Sequence, residues 1–233
     1  MNQPVAIITG AGRGIGRATA VELSGRGYAV VLVSRNETEL ADAATRCGKS
    51  LIVPADVTSD SDVERIVAES IKRFGRIDAV VNNAGYAPML SIEQTSIEEF
   101  RKVLDANLTS AFAMSRACWP TFVKQGGGVI VNVSSMAAKD PRPGFVAYGP
   151  AKAGVNILGL TLAREGAPHG IRVHTIAPGS TETKMFRALL DETAWPKSKT
   201  MPPEDVAGVI AACVVGDLKH TSGETIYLRK EPG

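Results

Sequence analysis

Val5-Ala-Ile-Ile-Thr9-Gly10-Ala-Gly12-Arg13-Gly14-Ile15-Gly16 is the stretch that decides the fold. Its first half is a short, unbroken apolar run, the pattern of a strand buried on both faces. Its second half is a glycine-rich turn that runs into a segment of helical period. Glycines at such a junction let the backbone turn tightly and approach a ligand, while the helix N-terminus offers unpaired N–H groups and partial positive charge to a pyrophosphate. After Gly10 the glycines that carry the turn are Gly14 and Gly16, a wider spacing than G-x-G-x-x-G. The turn gains its weight from standing directly after the first strand.

Outward from this stretch the alternation continues. Strands are expected at Val5–Thr9, Ala29–Ser34, Leu51–Pro54, Ala79–Asn82, Val129–Val133, Ile171–Ile176 and Thr225–Leu228. Helical segments are expected near Gly14–Ser24, Glu37–Cys47, Ser61–Phe74, Ile97–Lys124, Ala151–Ala167 and Pro203–Val215. Strands and helices in strict turn, joined by right-handed crossovers, give a doubly wound α/β fold: a mainly parallel seven-stranded sheet with helices on both faces. No repeat or low-complexity linker divides residues 1–233, so one domain is expected. Lys184–Pro202, with Trp195-Pro196 and Met201-Pro202-Pro203, has no clear period and reads as a mobile flap or loop insertion.

Composition narrows the function. The 233 residues are 44% hydrophobic, enough for a sizeable core, and the net charge is +2 with the basic residues scattered. Nucleic acid and a membrane surface are therefore not expected as partners, and a small molecule is. Cys47, Cys118 and Cys213 form no C-x-x-C pattern, so neither a disulfide framework nor a metal site is expected. The chain runs from Met1 into Val5–Thr9 without a basic leader and a long apolar stretch, which reads as a cytoplasmic protein.

The end of the second strand bears on the nucleotide. An acidic residue there would accept from the 2′-hydroxyl of NAD, but the strand ends Val33-Ser34-Arg35-Asn36. Arg35 can fork onto a phosphate, and Arg13 in the glycine turn can reach the same group. Two cations without an anion at this corner favour NADP(H) over NAD(H).

Tyr148 and Lys152 stand four residues apart, with Ser134-Ser135 upstream. A tyrosine and lysine so spaced on a helix ordinarily share a face and only pack or solvate. Here they offer a phenol that gives or takes a proton beside a cation. Moving a phenol from about 10 to neutrality takes about 4 kcal/mol, and one cation about 4 Å away at an effective dielectric near 20 supplies about that much.

Taken in order, these residues resemble the short-chain dehydrogenase/reductase family. Thr9-Gly10-x-x-x-Gly14-Ile15-Gly16 resembles its cofactor turn, Asp56-Val57 its adenine contact, Asn82-Asn83-Ala84-Gly85 its central-strand motif, and Asn107 its helix-borne active-site asparagine. Ser135, Tyr148 and Lys152 come next, then Pro178-Gly179 after the sixth strand. The pattern is similar to that of NADPH-using 3-oxoacyl-acyl-carrier-protein reductases and covers Val5 to about Thr183.

The resemblance implies a Rossmann-like fold and reversible reduction of a ketone or aldehyde. Tyr148 would be the acid/base, and Lys152 would hold the nicotinamide ribose while lowering the phenol pKa. Ser135 would donate to the substrate oxygen; it is chosen over Ser134 by its distance from the tyrosine and its place just past the strand. Asn107 would hold a water of a proton relay to Lys152. Thr183 would contact the carboxamide, beside Thr181, which stands where relatives carry an aliphatic residue. Asn82 and Asn83 would tie the central strand to its neighbours, with Ala84-Gly85 leaving room for the cofactor.

Two features run against the pattern. Pro150 sits between Tyr148 and Lys152, so the helix must begin close to the tyrosine or kink. The tail Thr225–Gly233 lacks the glycine-rich ending usual in relatives. A homotetramer or homodimer is implied, with Ala153, Gly154 and Gly159 permitting close approach of a partner. Leu104, Leu108, Phe112, Ser115 and Trp119 form a stripe that reads as core or interface. The alternative to an enzyme is a non-catalytic NADP-binding redox sensor or scaffold.

Overall fold

The structure is a computed structural model and describes residues 3–230. Seven strands, β1 (Val5–Thr9), β2 (Ala29–Ser34), β3 (Ser50–Pro54), β4 (Ala79–Asn82), β5 (Gly128–Val133), β6 (Ile171–Pro178) and β7 (Thr225–Leu228), form one sheet in the order β3-β2-β1-β4-β5-β6-β7. Every pairing is parallel. The expected doubly wound fold is thus observed, and the sheet is wholly rather than mainly parallel.

Continuous apolar strands result from burial on both faces. Along β1, Ala6 and Ile8 pack with Leu23, Val206 and Ile210 on one side, while Val5 and Ile7 pack with Ile66, Met114 and Phe122 on the other. The first layer belongs to helices α1 (Gly14–Gly25), α2 (Glu37–Thr45) and α8 (Pro203–Val215), and the second to α3 (Asp60–Phe74), α5 (Ser110–Gln125) and α6 (Tyr148–Gly166). Local signals fix the helix ends. Asn36, Ser59 and Ser96 cap α2, α3 and α4 (Ile97–Leu104), and Gly75 closes α3 with φ of 78°.

The chain leaves β1 toward β2 on one side and pairs β1 with β4 on the other. Consecutive crossovers therefore diverge above the carboxyl ends of β1 and β4, and a crevice opens there. A cleft of about 1620 Å³ occupies it, reaching from the glycine turn across β4 and β5 to the segment after β6.

One expectation needs correction and two gain detail. The helix expected over Ile97–Lys124 is two helices joined by a π-turn at Asp105–Thr109. The wider turn rotates α5 relative to α4, so Met114, Cys118 and Phe122 enter the core while Phe112 remains 48% exposed. Lys184–Pro202, expected as a mobile flap or loop insertion, holds α7 (Lys184–Leu189), capped by Thr183, and a short 3-10 turn at Lys197–Lys199. Its ends are clipped by Met201 N–H to Ser180 O and Glu182 N–H to Met201 O, both 2.9 Å. Gly154 and Gly159 also serve the chain's own packing. A Cβ on Gly154 would meet Leu108 Cδ2 at 2.8 Å, and one on Gly159 would meet Thr175 Oγ1 at 2.2 Å.

Candidate active site

The helix carrying the tyrosine and lysine begins at Tyr148. Pro150 falls in its first turn, where its missing N–H leaves no helical bond unmade, while Gly149 N–H donates to Phe145 O and Ala151 N–H donates to Ala147 O. The turn is therefore unbroken, and Tyr148 and Lys152 share a face. Both side chains line the cleft.

Their electrostatics differ from the expectation. Burial pushes the Tyr148 phenol up to about 12, and the Ser135 hydroxyl, in hydrogen-bonding contact with it, acts in the opposite sense. Burial also lowers the Lys152 ammonium to about 8. The ammonium donates to Val133 O at 2.7 Å and lies 5.7 Å from the centroid of the tyrosine ring. Both shifts come chiefly from desolvation, which disfavours the charged form of each group.

Ser134 and Ser135 separate by what they bind. Ser134 donates to Lys152 O at 3.0 Å and so ties β5 to α6, whereas Ser135 accepts from Ala137 N–H at 3.1 Å and faces the phenol. Asn107 sits in the π-turn with its amide N–H₂ donating to Tyr86 O at 2.7 Å and Val103 O at 2.8 Å. Its Oδ1 is buried without a partner among the described residues. A Cβ on Gly85 would lie 2.6 Å from that oxygen and 3.7 Å from Lys152 Nζ, so the absent side chain keeps the asparagine, the lysine and the cleft floor within reach of one another.

At the far end of the cleft the glycine turn does what its sequence requires. Gly10 (φ 66°) and Gly14 (φ 54°) take the left-handed conformation, and Gly10, Arg13, Gly14 and Ile15 line the cleft. Thr9 and Gly16, expected as contacts, lie behind it. The Thr9 hydroxyl donates to Val81 O and accepts from Asn83 N–H and Ala84 N–H, and a Cβ on Gly16 would strike Gly10 O at 2.2 Å. Asn83 lines the cleft while donating its amide to Thr9 O at 2.8 Å, so it pins β4 to the turn, and Ala84 and Gly85 form the floor. Asn82 ties β4 to Asn132 of β5 at 2.8 Å and to Ser115 at 3.0 Å.

Ser34, Arg35, Asp56 and Val57 line the cleft beside the turn, and Pro178, Gly179, Thr181 and Thr183 line it after β6. The Thr183 hydroxyl is also the cap of α7, accepting from Phe186 N–H at 3.1 Å. Asp56 accepts from the Thr58 hydroxyl at 2.7 Å, and it is Ser59 that caps α3. The corner beyond Ser34 is not free of anions as the sequence suggested: Glu39, one helical turn into α2, pairs with Arg13 at 3.2 Å, and Asp56 approaches Arg35 at 3.7 Å. Glu39 was missed because it lies outside the strand end that ordinarily reads the ribose. Its capping relation to Asn36, three residues before it, was the available signal.

Such a cleft fits a dinucleotide. Glycines in the left-handed conformation border one end, and a buried amide oxygen, a phenol and an ammonium meet at the other. Among the described residues no group of three or more His, Cys, Asp or Glu could hold a metal ion, and no helix is long and apolar enough to cross a membrane.

The family model described as short chain dehydrogenase matches residues 4–194. A 3-oxoacyl-[acyl-carrier-protein] reductase of Synechocystis is 36% identical over 214 residues, covering 88% of this chain and 87% of the relative. A protein of the same description from Staphylococcus aureus is 32% identical over 234 residues, covering 96% and 95%. Among solved structures, levodione reductase superposes with a TM-score of 0.92 at 28% identity over 98% of this chain and 97% of the other. A 3-ketoacyl-(acyl-carrier-protein) reductase from Brucella melitensis, complexed with NADH, gives 0.92 at 29% identity with the same coverage.

Proposed function

Because the chain belongs to the short-chain dehydrogenase/reductase family, we propose that it reduces a ketone or aldehyde to an alcohol, reversibly, with NADPH preferred over NADH. One observation carries this reading: Ser135, Tyr148, Lys152 and Asn107 border the same end of one cleft whose other end is the glycine turn. When bound, the cofactor supplies the hydride. Ser135 holds the substrate oxygen, and Tyr148, protonated at neutral pH, gives that oxygen its proton. Lys152 orients the cofactor's ribose and stabilises the phenolate left behind, and the free Oδ1 of Asn107 is the acceptor through which a proton path reaches the lysine.

NADPH is favoured because the Arg35 side chain is 81% exposed and only loosely engaged by Asp56, so its fork is open to a 2′-phosphate, whereas Arg13 is taken up by Glu39. An assembly of two or four copies is supported by Phe112 and Ile157, apolar side chains 48% and 65% exposed on α5 and α6.

The test is cofactor absorbance at 340 nm across a panel of ketones, with NADPH and NADH, for the wild type and Tyr148→Phe. The variant should bind cofactor yet lose reduction by about 10²- to 10⁴-fold. Turnover close to wild type would refute the catalytic assignment, and cofactor binding without turnover of any ketone would favour a nucleotide-binding sensor.

A further inference from the structure

The Lys184–Pro202 segment carries the basic residues Lys184, Arg187, Lys197 and Lys199. Arg187, only 19% exposed, is taken up internally: it forks onto the Glu182 carboxylate, with Nε to Oε1 at 2.7 Å, and donates to Trp195 O at 2.7 Å. The Thr200 hydroxyl donates to Glu182 Oε2 at 2.9 Å, and the Arg187 pairing holds the Glu182 carboxyl at about 2. These bonds fix the position of Trp195.

On that indole stands Arg142, its guanidinium carbon 4.2 Å from the ring centroid. Arg142 comes from the other wall of the cleft, the segment between Ser135 and Tyr148. A turn there carries Phe145 N–H to Arg142 O at 3.1 Å, and the Phe145 ring packs tilted against Tyr148 with centroids 5.3 Å apart. From the phenol outward the links are Tyr148 to Phe145 by their rings, Phe145 to Arg142 through the backbone turn, and Arg142 to Trp195 by cation–π contact. Cation–π attraction holds the guanidinium over the indole, and its planar set of N–H donors can still serve another group. Among the described residues no carboxylate lies within 4.0 Å of Arg142, although it lines the cleft. Lys199 stands over the same indole, its Nζ 5.5 Å from the centroid, and adds positive charge at this spot.

We propose that Arg142, steadied on Trp195, anchors a carboxylate of the substrate, so that the preferred substrate is an oxo acid whose carbonyl reaches Tyr148 while its carboxylate meets the guanidinium fork. A planar, bidentate donor is matched to a carboxylate, and a stacked guanidinium loses less freedom on binding than a loose one. The inference rests on the reductase reading and specifies its substrate class.

The experiment is a series of straight-chain oxo acids, with the carboxylate at increasing distance from the ketone, each beside its methyl ester, followed at 340 nm with NADPH. One acid length should exceed its ester in kcat/KM by about 10- to 100-fold, the range of a charge-assisted fork. In Arg142→Gln that acid-to-ester ratio should fall to near one through KM for the acid, and Arg142→Lys should keep part of it. A general loosening of the loop would lower acid and ester together and leave the ratio, so a ratio unmoved in Arg142→Gln overturns the anchor. Wild-type turnover of esters and acids alike also overturns it while leaving the reductase reading intact. Absence of turnover for every ketone overturns the reductase reading and the anchor with it.

Discussion

Replacing Lys152 by methionine should change the pH dependence of alcohol oxidation, and the structure sets the size of the change. In the free chain burial holds the phenol at about 12 and lowers the ammonium to about 8. A phenolate and an ammonium brought to about 4 Å at an effective dielectric near 20 attract by about 4 kcal/mol, or about three pH units. With the lysine charged, the phenol then ionises near about 9. The pair therefore gives up its first proton near pH 8, as a mixture in which the phenolate–ammonium form lies about 1.4 kcal/mol above phenol–amine and makes up about one molecule in ten. Oxidation needs the phenolate as base. With cofactor saturating, kcat/KM for an alcohol should rise tenfold per pH unit and level off near about pH 8. In Lys152→Met the phenol stands alone, so the rise should continue without levelling toward about 12, with a deficit at pH 7 of about 10³-fold. The assay is NADPH formation at 340 nm over a pH series, with circular dichroism melting to confirm that the variant is folded. A levelling point unmoved by the substitution, or a deficit under tenfold at pH 7 in a folded variant, would refute the reasoning.

Particular contacts set further expectations. Arg35→Ala removes the cation open to a 2′-phosphate and should raise KM for NADPH at least about tenfold while sparing NADH; equal effects on both cofactors would count against the NADPH preference. His174 is buried in β6, and burial holds its imidazole near about 4, below its ordinary 6.5. Because the folded value is depressed, the stabilisation is whole above about pH 6.5 and is lost as pH falls toward 4, in all about 2 kcal/mol after allowance for solvent screening. Between pH 7 and 4, His174→Gln should therefore lose about 4–8 °C less in Tm than the wild type; parallel losses would contradict this. Phe112→Asp with Ile157→Asp should lower the mass seen by light scattering at micromolar concentration, and a wild type already monomeric would sink the assembly reading.

The parts of this protein legible in its sequence are those set by local pattern. Unbroken β-branched runs mark strands covered on both faces, and all seven fall where the pattern puts them, with ends differing by a residue or two. Gly10 and Gly14 read as turn glycines because no side chain fits their backbone. What the sequence withheld depends on distant partners. The π-turn at Asp105–Thr109 breaks no propensity rule, and it exists where the Asn107 amide finds Tyr86 O. Lys184–Pro202 has no period because an ion pair and two backbone clips order it rather than a repeating apolar face. Gly154 and Gly159 are small for Leu108 and Thr175, contacts with no sequence signature.

The same reasoning explains where the chain tolerates buried polarity. Burying an unpaired amide oxygen costs about 1–3 kcal/mol, so each such group calls for a reason. Asn82 Nδ2 donates to both Asn132 Oδ1 and Ser115 Oγ and so locks β4, β5 and α5, which fixes the cleft floor, while Asn82 Oδ1 and Asn132 Nδ2 stay unpartnered among the described residues. Ser134 fixes α6 through the Lys152 carbonyl, and Val133 O receives the ammonium of the same lysine, so Lys152 is held at both ends by β5 and its neighbour. These groups bind protein and make the site rigid. The Oδ1 of Asn107, buried without a partner like Asn82 Oδ1, differs in where it lies: its amide N–H₂ is fully committed, and the position it faces, beside Lys152 Nζ, is kept open by Gly85. A rigid frame around an uncommitted acceptor, beside a lysine whose proton burial has loosened, is the arrangement that the proposed proton path to Lys152 needs.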